Sequence, residues 1–135
     1  MYLKNTGRGF IFAWFFLGGI AHFTLTEFFL RIVPPYISYP IACVYISGVF
    51  ELLGAFGILL PKTRQLAGYV LILLTTILTL ANIHMYLHAE LFAGIPEWML
   101  AARLPLQAVL IWLIWWSTKP DIKLNMININ RINTS

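Results

Sequence analysis

Apolar residues run through this chain in four long blocks, each closed by a short cluster of prolines, glycines or charges. The blocks cover about Gly9–Leu30, Ile41–Leu60, Gln65–Met85 and Pro96–Thr118. Each is close to the ~20 residues that a helix needs to cross the hydrocarbon core of a bilayer. The pattern predicts an all-α membrane protein: a four-helix transmembrane bundle over residues 1–118, followed by a disordered cytoplasmic tail over 119–135.

The interruptions agree with this division. Pro34, Pro35 and Pro40 forbid a continuous helix between the first two blocks. Pro61-Lys62-Thr63-Arg64 reads as a tight basic turn, and Gly94 and Pro96 punctuate the third connection. Pro96 suits a first helical position, and Pro105 predicts a kink inside the last helix. The first block opens like a cleaved leader, with basic residues before an apolar run and small residues from Gly18 to Ala21. The run continues through Phe23, Leu25 and Phe28 to Leu30, so it is read as a retained span.

Composition strengthens the membrane reading. Sixty per cent of the 135 residues are hydrophobic and 10% are charged, against roughly 25% charged in soluble domains. A soluble chain this short cannot hide that much apolar surface. The formal charge of +4 does not point to nucleic acid, because the basic residues sit in the connections rather than in one patch. Lys4, Arg8, Lys62, Arg64, Lys119, Lys123 and Arg131 fall on one side of a four-span path, with only Arg31 and Arg103 on or toward the other. That asymmetry predicts both termini in the cytoplasm and a multi-pass protein of the bacterial inner membrane. Trp112, Trp115 and Trp116 then form an interfacial belt on the cytoplasmic side, and Trp98 serves the opposite interface. Cys43 is the single cysteine. It excludes an internal disulfide and autonomous dithiol chemistry, and reads as a small apolar residue near a helix end.

Ionisable groups inside a span cost about 2.5–3.5 kcal/mol at its centre, and they normally face the bundle interior. Glu51 shares its helix face with Ser47, Gly48, Gly54 and Ala55, while Val49, Leu52, Leu53 and Phe56 occupy the lipid side. Small residues let a second helix approach closely and sequester the carboxylate. His22 lies with Gly18, Gly19 and Thr26. Asn82 lines up with Thr75, Thr79 and Tyr86, and Arg103 with Gln107. Counted in rise per residue, His22, Glu51, Asn82, Arg103 and Gln107 can form one polar layer in the outer half of the bundle. The layer either binds a polar head group or conducts protons, or else it only fixes helix register. In the first case Glu51 and Arg103 are expected to form the neutralising ion pair, with His22 nearby. His84 and His88 have a two-ligand spacing, but their position reads as an outer interface, and no metal site is expected.

The chain resembles the DoxX and DoxX-like family of small bacterial membrane proteins. The residues that carry this are Val33-Pro34-Pro35-Tyr36 with Tyr39-Pro40, the run SGVFELLGAFGILLP from Ser47 to Pro61, Thr63-Arg64, Ala81-Asn82-Ile83-His84-Met85, and Arg103-Leu104-Pro105-Leu106-Gln107. Leu80 stands where similar sequences often have a proline. The resemblance implies a four-helix membrane fold and an association with respiratory or redox chemistry, and it carries no catalytic residue onto this chain. The expected function is therefore a redox-associated accessory subunit with no resident cofactor, binding a quinone or another small lipophilic molecule at the polar layer. Its expected partners are the lipid bilayer, a membrane or redox protein and a second copy of itself. The alternatives are an oligomeric carrier for a small solute and a purely structural assembly subunit.

Overall fold

The computed structural model describes residues 1–120 and Ile132, so the predicted tail over 119–135 falls almost wholly outside the described residues. These form five helices: α1 (Tyr2–Thr24), α2 (Thr26–Ile32), α3 (Pro40–Leu59), α4 (Arg64–Leu87) and α5 (Glu97–Thr118). A 3-10 turn over Ala89–Phe92 joins the last two, and there is no strand among the described residues. Helices α3, α4 and α5 are each long and apolar enough to cross a membrane; α1 and α2 meet that test only together, which makes up to four spans.

The first span is not the unbroken helix that its apolar run predicts. The chain bends by 98° between α1 and α2, at Leu25, whose φ of −116° and ψ of 36° are not helical. Threonines flank the break and bond back onto the preceding turn. Thr26 Oγ1 donates to the His22 carbonyl at 2.9 Å, and Thr24 Oγ1 donates to the Ile20 carbonyl at 3.3 Å. A hydroxyl that takes a helical carbonyl in this way competes with the backbone ladder and bends helices. Pro105 behaves differently from Leu25. It lies inside α5, which continues through it.

Helix α1 packs most extensively on α3, through facing small residues. A Cβ placed on Gly19 would lie 3.1 Å from the Gly48 carbonyl, and one on Gly48 would lie 3.2 Å from the Gly19 carbonyl. The two backbones therefore touch, as small-residue faces permit. Leu52, expected toward lipid, instead folds its side chain over Gly19. Helix α4 packs on both α3 and α5, and α5 closes on α1.

Two apolar clusters result. Ile11, Phe15, Ala55, Ile58, Ala67, Leu71, Leu110 and Ile114 join α1, α3, α4 and α5. Ile32, Met85, Phe92 and Leu100 form a second cluster beneath α2 and the 3-10 turn. Outside them, large apolar side chains such as Leu17, Ile46, Leu53, Leu73, Ile77 and Val109 point outward, as they do where lipid is the solvent.

One end of the molecule is basic and tied together by side chains. Lys4 Nζ donates to the Lys119 carbonyl at 3.2 Å, and Arg8 Nε donates to the Ser117 carbonyl at 2.8 Å. Arg64 Nε and Nη2 donate to the carbonyls of Ile58 and Leu59 at 2.9 and 3.2 Å. These bonds satisfy carbonyls that the end of α3 leaves without helical partners. Gly68 lies against Thr118, so the α3–α4 turn stands beside the start of α1 and the end of α5.

Candidate functional site

Between the two apolar clusters lies a cavity of about 210 Å³. His22 from α1, Glu51 from α3, Asn82 from α4, and Arg103 and Gln107 from α5 all line it. Helical periodicity had set each of these on an inward face, and the fold brings them to one space. Phe15 and Leu110 of the first cluster and Ile32 of the second close its ends. Trp14 and Leu106 are the exposed members of the lining. They stand on α1 and α5, and the cavity reaches the surface beside them.

The Glu51 face works as its small neighbours require. A Cβ on Gly18 would lie 2.7 Å from Glu51 Oε2, so the carboxylate tip fills the space that this glycine leaves at the α1–α3 contact. Glu51 is 5% exposed and His22 is 4% exposed. His22 Nε2 lies 3.5 Å from Glu51 Oε1. The expected Glu51–Arg103 ion pair does not form: the partner of Glu51 is His22. Arg103 Nη1 instead donates to Met85 Sδ at 3.0 Å. The two residues were matched by face and depth, and neither property fixes distance across a bundle. His22, on the neighbouring helix at the closest interface, reaches Glu51 first.

The hydrogen bonds of His22 fix its tautomer. Nδ1 lies 2.8 Å from the Val44 carbonyl, which can only accept, so Nδ1 carries a hydrogen. Ser47 Oγ donates to the same carbonyl at 2.9 Å and turns its lone pairs toward Nδ1 at 3.1 Å. Nε2 of a neutral ring then presents a lone pair to a carboxylate oxygen. Phe29 of α2 stacks on the imidazole with ring centroids 4.1 Å apart, holding it from the other side.

The remaining polar groups are less engaged. Gln107 Oε1 is buried and has no hydrogen-bond partner. Thr75 is buried and donates back to Leu71 at 2.7 Å. His84 and His88 stand apart from this cavity: their rings are 4.5 Å from one another, and His88 Nδ1 lies 3.4 Å from exposed Glu90. Among the described residues no three His, Cys, Asp or Glu side chains gather as metal ligands.

Sequence reasoning missed Trp14, Phe29 and Ile32 as lining residues. Phe29 and Ile32 reach the cavity only because α2 turns across it, and nothing local in an apolar run marks that turn except the two threonines. A second, more apolar cavity of about 350 Å³ adjoins the first, with His22, Phe29, Ile32, Leu78 and Ala81 as their common wall.

No curated protein matches the chain, and neither does any solved structure. A family model matches residues 11–118, which takes in every residue of the polar layer. The chain belongs to that family, a domain of unknown function designated DUF8561.

Proposed function

We propose that this protein is a multi-pass inner-membrane protein that holds a small amphipathic molecule in the cavity between its helices. One observation carries the reading. Five polar side chains from four helices converge on a single space with apolar ends, and one of them keeps a buried oxygen without a partner. Binding sites have this character, with mostly apolar walls and a few convergent polar groups. The void and the orphan oxygen favour an occupant over a layer that only locks helix register. The His22–Ser47–Val44 contacts do serve register, since they tie α1 to α3.

In this reading α1 with α2, α3, α4 and α5 make four spans, and both termini lie in the cytoplasm with the basic end. The resemblance to DoxX-like proteins supports a reading beside redox chemistry, in which a quinone head group or a similar ring is the occupant and an oxidoreductase the partner. Native mass spectrometry in mild detergent tests this. The wild-type protein is expected to carry a small-molecule adduct that Glu51→Gln weakens or loses. A wild-type spectrum free of adducts after supplementation with membrane lipid extract would remove the ligand and leave a scaffold.

A further inference from the structure

The charged groups lining the cavity are not all paired with one another. Three ionisable side chains line it: His22, Glu51 and Arg103. His22 Nε2 and Glu51 Oε1 face each other at 3.5 Å. Arg103 is left over. It meets no carboxylate of the described residues within 4.0 Å, and its one hydrogen-bond partner is the Met85 thioether, a weak acceptor. Glu27, Glu90 and Glu97, the other acidic residues described, are exposed and outside the lining.

A guanidinium offers five N–H groups in a planar fork that fits a carboxylate. Held partly buried among apolar side chains with most of those donors idle, it makes a site whose missing component is an anion. Gln107 adds to this. Its unpartnered Oε1 and its NH2 group exchange places when the amide turns over, which brings a further donor to the same spot. Size sets the rest. A cavity of about 150 Å³ takes a benzene ring, and this one is about 210 Å³. That leaves room for a ring or short chain bearing one charged group, and not for a phospholipid head.

We propose that the cavity binds a small apolar molecule carrying a single carboxylate, with Arg103 as its counter-ion and Gln107 and Asn82 as flanking hydrogen-bond donors. The proposal rests on the ligand-binding reading above and names the ligand's class. The carboxylate comes either from a free aromatic or short-chain acid or from a membrane fatty acid, and both share this chemistry.

The probes are benzoate and its neutral isostere benzamide, titrated onto the full-length protein in nanodiscs under chloride-free buffer. Trp14 lines the cavity, so tryptophan fluorescence reports occupancy, and thermal unfolding gives a second readout. Benzoate is expected to change the fluorescence and raise Tm, and benzamide to bind at least about tenfold more weakly. Trp14→Phe should abolish most of the fluorescence change while keeping the Tm shift. Arg103→Gln should lose benzoate at least about tenfold, and Arg103→Lys, which keeps the charge, should retain part of it. Competition by oleate assigns a fatty acid as the source; failure of oleate to compete assigns a free small acid. Equal binding of benzamide and benzoate overturns the proposal even where the Arg103 variants do not fold, as does displacement of benzoate by millimolar chloride. If benzoate does not bind while native mass spectrometry finds a neutral adduct, the anion assignment falls and the ligand-binding reading stands. If neither appears, both fall.

Discussion

At the scale of single residues, glycine decides how near α1 comes to α3. The clash that a methyl group on Gly48 would make is with the His22 Cβ at 2.8 Å and with the Gly19 carbonyl at 3.2 Å. Neither is the yielding tip of a flexible side chain. Gly48→Ala should therefore lower stability by about 1–3 kcal/mol, the usual cost of overpacking, and should move His22 off its bond to Val44. Gly9 has nothing within 4 Å of the same hypothetical atom, so Gly9→Ala should be neutral or stabilise its helix by up to about 1 kcal/mol. Thermal unfolding of both variants in one detergent checks the contrast. Equal loss of Tm at the two positions would contradict the close-contact argument. The small-residue face was legible in the sequence, because Gly18, Gly19, Ser47 and Gly48 recur at helical spacing beside His22 and Glu51. The pairing within that face was not. A 3.6-residue period says which way a side chain points, but the distance from Glu51 to His22 or Arg103 depends on how two helices lie against each other.

Among the elements, α2 departs most from what the sequence implied. An apolar run through Leu30 reads as the continuation of a span, yet tertiary packing turns it so that Phe28, Phe29 and Ile32 meet the Met85–Leu100 cluster. Phe29 has two roles there: it stacks on His22 and walls off the larger apolar cavity. Phe29→Ala should merge the two cavities and cost about 2 kcal/mol, less than the 3–5 kcal/mol typical of fully buried aromatic rings, because Phe29 is only half-buried. The drop in Tm measures this, and a Tm unchanged from wild type would show that α2 is not seated as described. At the other end, Arg64 closes α3 with two side-chain donors. Arg64→Ala should cost about 1 kcal/mol in the same assay, with Arg64→Lys restoring only part, since one ammonium does not reproduce the fork.

For the whole molecule, the arrangement makes a claim about sidedness. The start of α1, the α3–α4 turn and the end of α5 share one end, held by the Lys4, Arg8 and Thr118 contacts. The 34–39 connection and the 3-10 turn lie at the other. In a Cys43→Ala background, Ser38→Cys is expected to react with a membrane-impermeant maleimide in intact cells, and Lys62→Cys only after the membrane is opened. Labelling of both in intact cells would reject the predicted orientation. The block pattern marked α3, α4 and α5 as long and apolar enough to span, because span length is a demand of the bilayer rather than of packing, but it read the bent α1–α2 pair as one helix. The void between two apolar clusters was beyond reach, since empty space leaves no mark on hydropathy.

The gap framed by Trp14 and Leu106 has a consequence for how any occupant arrives. Trp14 on α1 and Leu106 on α5 are the exposed residues of its lining, and both helices carry greasy outward faces. A guest would first dissolve in the fatty layer and then slip in from the flank, so uptake should follow its oil–water partition coefficient. Half-saturation expressed as total concentration in buffer should then drift as the lipid-to-protein ratio changes, and stay constant only when expressed as mole fraction in the bilayer.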